Sequence, residues 1–334
     1  MKIIVPMAGM GKRLRPHTLT TAKPLLPIAG KPIVERLVED IVATSGQKVD
    51  EIAYVVGRFG AEVEKNLIEV AERLGAKGTI HYQDEALGTA HAILCAKSAL
   101  QGPVTVAFAD TLFRADFKLD TSKDGVLWVQ KIEDPRQFGV VVLDENGIIK
   151  EFKEKPQEFV SDLAMIGIYY FKSGEQLREE LQYLIDNNIM NGNEYQLPDA
   201  LRNMVRKGAQ FLPGTVMDWM DCGNKDAMVD TNIKYLNYNR DKDWVDSSAQ
   251  IENSTIIPPC YIGKGVVIKN SVVGPCTSIG DGTHVESSVV AESIVLPHAT
   301  IRHANLSKAM VGAHTHYVLR PTSVSLGDYS VVNQ

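Results

Sequence analysis

The sequence predicts two structural parts, a mixed α/β domain followed by a domain of short, stacked parallel strands. Three observations carry that expectation. The chain has 334 residues, more than the roughly 250–300 at which a single core stops growing. Strand-length apolar runs alternate with helical stripes through the first part of the chain. Beyond about Asp246 the helical stripes vanish, and an apolar residue recurs every five or six positions.

The first part begins with Lys2–Met7, a short apolar strand. Val34, Leu37, Val38 and Ile41 follow i, i+3, i+4, i+7, one face of a helix. Glu51–Val56 is a second strand, and Val63, Leu67, Val70 and Leu74 form another helical stripe. Thr79–Gln83 is a third strand, Thr89–Ala99 a helix and Val104–Ala109 a fourth strand. Such alternation gives a parallel sheet with helices on both faces, a Rossmann-like arrangement. The sheet then becomes mixed. Val140–Leu143 and Ile148–Lys153 flank Asp144-Glu145-Asn146-Gly147, a hairpin turn. Ala164–Phe171 is a further strand, and Gly174–Asp186 and Leu197–Arg206 are helices.

In the second part, Ile251, Ile256, Ile262, Ile268, Val273, Ile279, Val285, Val290 and Leu296 set the period, and Ile301, Leu306 and Val311 continue it. Three units make a coil of about 17 residues. Ile251, Ile268 and Val285 are therefore expected to stack, as are Ile256, Val273 and Val290. One short unit cannot bury its apolar residue alone, whereas stacked coils build a continuous core. A β-sandwich would instead alternate with period two. The pattern resembles the hexapeptide-repeat, left-handed parallel β-helix family, with about four coils. The expected division is residues 1–240 and residues 246–334.

Lys and Arg number 35 and Asp and Glu 41, a formal net charge of −6. A protein that coats nucleic-acid backbone is normally basic, so no nucleic-acid partner is expected. No apolar run approaches the roughly 18 residues of a membrane span, and the first residues do not read as a signal peptide. Cys95, Cys222, Cys260 and Cys276 are scattered without a CxxC pair, which suits reduced thiols in a cytoplasm. The charge is uneven: residues 1–34 hold six basic side chains and no acidic one. A basic opening on an acidic domain points to a localised anion site.

That site is expected at Ala8-Gly9-Met10-Gly11-Lys12-Arg13-Leu14-Arg15-Pro16, directly after the first strand. Without a Cβ, glycine lets backbone N–H groups close around an anion. The loop lacks the GxGxxG spacing of a dinucleotide site and the GK[ST] ending of a P-loop. Arg13 on this loop and Lys23 ten residues on suit a triphosphate.

Gly9-x-Gly11-x-Arg13-Leu14-x-Pro16-x-Thr18, followed by Lys23-Pro24-Leu25-Leu26-Pro27 and Gly30-Lys31-Pro32, resembles the signature of the sugar-1-phosphate nucleotidylyltransferases. Further segments match in order: Leu87-Gly88-Thr89-Ala90-His91, Phe108-Ala109-Asp110, Phe138-Gly139-Val140-Val141, Glu154-Lys155-Pro156 and Trp219-Met220-Asp221-Cys222-Gly223. The resemblance spans residues 1–240, and several branches of the family carry a β-helix tail. The chain departs from the usual pattern at Ala8, Lys12 and Thr111, which bears on substrate choice more than on reaction type.

The resemblance implies attack of a sugar-1-phosphate oxygen on the α-phosphorus of a nucleoside triphosphate, releasing pyrophosphate. Such transfer is mostly positioning and charge stabilisation. Arg13 would hold the pyrophosphate, since Arg suits phosphate forks. Lys23 would neutralise charge at the α-phosphate. Asp110 and Asp221 would hold Mg²⁺, a hard ion that takes carboxylate and phosphate oxygens. Ala8, Gly9, Gly11, Gln83, Gly88 and Thr89 would bind the nucleotide. Gly139, Glu154, Lys155 and Trp219 would meet the sugar phosphate. Several of these also have plain structural readings. A strand-end Asp often caps a turn, Trp219 can simply fill core, and His91 on an apolar helix reads as structural. Glu194 and Asp199 either reach the sugar or cap a helix.

Gln83 precedes the Leu87 segment where pyrimidine-using members carry a glutamine, and an amide can donate and accept toward a uracil or thymine edge. UTP or dTTP with glucose 1-phosphate is therefore the expected pair. Asp84 and Glu85 keep open a mannose-1-phosphate guanylyltransferase. The same domain pair also fits an inactive regulatory or assembly subunit. It fits as well a bifunctional enzyme whose tail histidines (His284, His298, His303, His314, His316) serve acyl transfer. A homo-oligomer is expected, because β-helix tails often build interfaces.

Overall fold

The computed structural model describes residues 1–9, 11–115, 119–320 and 323–331. It divides into two compact units. The first comprises Met1–Leu26 and Lys31–Ala227; the second comprises Pro27–Gly30 and the chain from Met228 onward.

The first unit is built on a nine-stranded mixed sheet. Its centre is parallel: Val104–Ala107, Lys2–Pro6, Glu51–Val56 and Lys77–Tyr82 lie side by side in that order. The inner strands are apolar almost throughout, with Ile3, Ile4, Ile52, Ala53, Val55 and Val104 fully buried, because both faces of a parallel sheet are covered. Lys77–Tyr82, at the edge, carries polar residues and no fully buried one. Leu163–Phe171 joins antiparallel to Val104–Ala107 and begins the mixed half. The hairpin expected around Asp144–Gly147 forms between Gly139–Leu143 and Ile149–Glu154. The Asp144 side chain accepts from the N–H groups of Asn146 and Ile148, both at 2.9 Å.

Four departures from the sequence reading have physical causes. The helix starting at Thr89 ends at Cys95, not Ala99. The apolar stripe runs on because Ala96, Ala99 and Leu100 are fully buried in the following turns. Phe211–Thr215 forms a strand despite Pro213 and Gly214, since among the described residues it pairs with Gly125–Lys131 alone and an edge tolerates proline. Thr111–Arg114 and Asp218–Asp221, too short for a periodic signal, pair as an antiparallel ribbon. Lys225–Tyr238 is a helix whose buried residues include Thr231 and Asn232, which erases the apolar stripe.

The second unit contains three parallel sheets of short strands, consistent with a left-handed β-helix. Ile251, Ile268, Val285 and Ile301 are in register, as are Ile256, Val273, Val290 and Leu306. In the third column Ile262 and Ile279 are followed by Val295 and not by Leu296. The later coils are one residue shorter, so the series slips by one there. The corners adopt left-handed backbone: Asn253, Asn270, Ser287 and His303 form one column, and His298 and His314 continue another that begins with Gly265 and Gly282. Asn and His tolerate this region better than most residues. Three of the tail histidines thus occupy turn positions, and the rings of His298 and His314 stack with centroids 5.0 Å apart.

Asn232 locks Pro27–Gly30 into this unit. Its Oδ1 accepts from the Ala29 N–H at 3.0 Å and from Ser278 Oγ at 2.7 Å, while Nδ2 donates to the Cys276 carbonyl oxygen at 3.3 Å. The side chain is fully buried. Asn232→Ala removes these three buried hydrogen bonds, and leaving one half of a buried bond unmade costs about 1–3 kcal/mol. The expected result is a marked fall in melting temperature by calorimetry. A variant that melts with the wild type would show that the Pro27–Gly30 segment is held by other means.

Candidate active site

A cavity of about 240 Å³ opens at the carboxyl ends of the central parallel strands, lined by Ala8, Gly9, Lys23, Gln83, Gly88, Thr89, Asp110 and Glu194 among others. Open α/β sheets place ligands at this edge. Lys2–Pro6 delivers Ala8 and Gly9, and Val104–Ala107 delivers Asp110 three residues past its end. Lys23 Nζ lies 2.7 Å from Asp110 Oδ2, a pair in which the lysine is largely buried.

Three features bring Asp221 to the same place. Thr111 and Asp221 are register partners in the ribbon. The Cys222 N–H donates to the Asp110 carbonyl oxygen at 2.9 Å. The Gly223 N–H donates to Asp221 Oδ1 at 3.0 Å. Burial, then the nearby Asp110 charge, pushes the Asp221 carboxyl above its ordinary range, against the opposing pull of Lys23 and Arg13. Arg13 itself is exposed on a short helical turn, Lys12–Leu14. Its Nη2 stands so near Gly223 that a Cβ built there would approach within 3.3 Å. Gly11 opens that turn with φ 57° and its carbonyl oxygen accepts from Thr18 Oγ1 at 2.8 Å. Neither Gly11 nor Arg13 lines the cavity wall itself.

Among the described residues no group of three or more His, Cys, Asp or Glu side chains could hold a metal. Two neighbouring carboxylates, Asp110 and Asp221, are nevertheless a fitting donor set for a hard divalent ion. Such an ion is commonly held by one or two carboxylates plus substrate phosphates.

On the wall opposite, Gly88 has φ +102°, and a Cβ there would meet the Tyr195 carbonyl oxygen at 2.4 Å. The Tyr195 backbone clamps this segment. Its N–H donates to the Leu87 carbonyl oxygen at 2.8 Å, and its carbonyl oxygen accepts from the Ala90 N–H at 2.9 Å. This clamp carries Glu194 to the cavity from a hundred residues away, a placement with no local sequence signal. Asp199 instead pairs with Arg202 at 2.8 Å within its own helix. The Thr89 hydroxyl accepts from the Leu197 N–H at 2.9 Å and faces Gln196 Oε1 at 3.2 Å. It therefore fastens the start of helix Leu197–Arg206 while its residue lines the cavity.

The remaining sugar-site residues form a second cluster. Gly139 and Glu154 are partners across the hairpin. Lys155 is exposed at a left-handed position, φ 45°, with Nζ 3.8 Å from Glu154 Oε1. Trp219 packs edge-on against Phe138, with ring centroids 4.9 Å apart, so it joins the Gly139 segment to the ribbon that carries Asp221. Tyr169 links this cluster to the cavity. Burial and the charges of Glu154 and Asp110 push its hydroxyl pKa up, and its ring stands edge-on to Phe108.

Residues 2–238 match the model of the family described as "Nucleotidyl transferase". The chain belongs to the nucleotidyl transferase family. Mannose-1-phosphate guanylyltransferase catalytic subunit beta of Drosophila pseudoobscura pseudoobscura is 32% identical over 275 residues, covering 80% of this chain and 67% of the relative. Glucose-1-phosphate thymidylyltransferase of Streptomyces griseus is 29% identical over 358 residues, covering 99% of this chain and 98% of the relative. A solved nucleoside-diphosphate-sugar pyrophosphorylase from Vibrio cholerae RC9 shares the fold. Its TM-score is 0.60 at 22% identity, covering 69% of this chain and 99% of that one. In this nucleotidyl transferase, the glycine loop, Lys23, Asp110 and the Gln83–Thr89 segment meet at one cavity, and Asp221 stands beside Asp110.

Proposed function

We propose that this nucleotidyl transferase makes a nucleoside-diphosphate sugar and pyrophosphate from UTP or dTTP and a hexose 1-phosphate, with glucose 1-phosphate as the first candidate. The observation that carries the reading is the Lys23–Asp110 pair at 2.7 Å inside a cavity walled by Gly9 on one side and Gln83 and Gly88 on the other. In this reading the loop around Gly9 and Gly11 embraces the triphosphate. Lys23 compensates charge on the transferred phosphoryl group, and Arg13 grips the departing pyrophosphate. Asp110 and Asp221 would hold Mg²⁺, which would supply positive charge to offset that of the transferred phosphoryl group. Gly139, Glu154, Lys155 and Trp219 orient the sugar phosphate for in-line attack. The near end-to-end match with the Streptomyces thymidylyltransferase favours the pyrimidine nucleotide and argues against an inactive subunit.

Glu194 supports a second reading, GTP. It lines the cavity, and a carboxylate there could accept from the guanine N–H edge. Asp84 and Glu85 do not support it. Asp84 is bonded to Arg58 through both oxygens, at 2.8 and 3.0 Å, and neither residue lines the cavity. Thermal-shift titration with UTP, dTTP, GTP, ATP and CTP plus Mg²⁺ separates the two. A ligand at a hundred times its Kd stabilises by about 2.7 kcal/mol, so UTP or dTTP should raise the melting temperature by several degrees. Stabilisation by GTP alone would overturn the pyrimidine assignment.

A further inference from the structure

Gln83 does not offer the cavity both halves of its amide. Nε2 donates to the Gly88 carbonyl oxygen at 3.1 Å and sits 3.2 Å from His91 Nδ1. A carbonyl oxygen only accepts, so the amide atom facing Gly88 must be the nitrogen. His91 Nδ1 faces the same nitrogen and must then be the acceptor, with the ring proton on Nε2. Burial lowers the pKa of this imidazole, against the opposing charge of Glu85, in the same direction as the acceptor role that the contact with Nε2 requires. An amide nitrogen has two hydrogens, and these two acceptors use both. Gln83 lines the cavity, and Oε1, an acceptor alone, is the half of its amide that these two bonds leave for a base.

We propose that His91 is a positioning residue for base recognition: with the Gly88 carbonyl oxygen it fixes the Gln83 amide so that Oε1 selects bases carrying a ring N–H. Uracil and thymine present such an N–H at N3, whereas cytosine presents a lone pair there. Among purines, guanine carries the N–H at N1 and adenine does not. The proposal rests on the reading of this cavity as the nucleotide site, but not on the choice of pyrimidine. Without the His91 acceptor one amide hydrogen is released and the group can turn. Gln83 can then donate to cytosine or adenine, and discrimination falls.

The test is steady-state pyrophosphate release by wild type, His91→Leu and His91→Asn with UTP, dTTP, CTP, GTP and ATP. One misplaced hydrogen bond is worth about tenfold. For His91→Leu the KM for the preferred nucleotide should rise about tenfold with kcat changed less than about threefold. Its preference over the lone-pair partner, UTP or dTTP over CTP or else GTP over ATP, should fall about tenfold. His91→Asn should restore the preference, because Asn Oδ1 occupies nearly the place of His Nδ1. An unchanged preference in His91→Leu, or a fall in kcat alone, would overturn the proposal. Turnover with GTP and no pyrimidine would overturn the pyrimidine reading instead, and the GTP-to-ATP ratio would then test His91. Nitrogen-15 NMR of wild-type protein gives a second readout that no folding defect affects. An unprotonated Nδ1 supports the proposal, and a protonated Nδ1 rejects it.

Discussion

Asp221→Asn should lose pyrophosphate release by roughly a thousandfold or more, the several kcal/mol that a metal ion supplies to phosphoryl transfer, while the folded protein becomes more heat-stable. The stability half follows from linkage. Burial and the Asp110 charge raise the Asp221 pKa in the folded chain, whereas the unfolded chain keeps the ordinary value. As pH rises from that ordinary value through the raised one, the folded state still holds a proton that the unfolded state has released. Stability therefore falls across this acidic window and stays lower above it. Asparagine removes the buried charge and can still accept from the Gly223 N–H through Oδ1. Calorimetry without divalent ions should find the variant above the wild type at neutral pH, with the gap closing as pH falls through the carboxylate range. A variant that is less stable at neutral pH, or that keeps full activity, would contradict the assignment of Asp221 as a charge stored for a cation.

Gly88→Ala should be the most damaging single-methyl substitution at the cavity. The residue has φ +102°, and the new Cβ would lie 2.4 Å from the Tyr195 carbonyl oxygen and 2.8 Å from its nitrogen. Both obstacles are backbone and hold the Leu87–Ala90 clamp, so neither can swing aside. Strain and clash together should cost about 3 kcal/mol or more, a fall of roughly 6–12 °C in melting temperature for a domain of this size. Gly9→Ala provides the contrast. Among the described residues nothing lies within 4 Å of a Cβ there, chain neighbours aside, so the variant should melt with the wild type while its KM for nucleotide rises as the methyl narrows the cavity. Equal melting temperatures for Gly88→Ala and wild type would mean that the Tyr195 backbone does not clamp the base segment.

These two variants mark the boundary between what was legible in the sequence and what was not. The central parallel strands and the coil register of Ile251, Ile268 and Val285 were readable because burial on a fixed period leaves a one-dimensional trace. The glycine loop, Lys23 and Asp110 stood out as candidates because phosphate and metal chemistry admits few residue types, and Gly9, Lys23 and Asp110 line one cavity. Trp219–Gly223 was visible as a motif, but Asp218–Asp221 was not visible as a strand, since its partner Thr111–Arg114 lies a hundred residues earlier. The slip from Leu296 to Val295 was hidden because both neighbours are apolar. Gln83 was legible as an amide beside the Leu87 segment, but not that its Nε2 is already engaged by the Gly88 carbonyl oxygen and His91.

The sequence by itself determined the family, the two kinds of architecture and most of the charged groups that could handle a triphosphate. The architectures and the charges follow from composition and spacing along the chain, and the family from the resemblance of its motifs. Tertiary structure decided which charges meet, that Asp221 is buried beside Asp110, that Glu194 reaches the cavity, and which half of the Gln83 amide is already bonded. Each depends on distance through space between segments far apart in the chain. An amide can donate or accept until its neighbours use one half, and only folding brings the Gly88 carbonyl oxygen and His91 to that half.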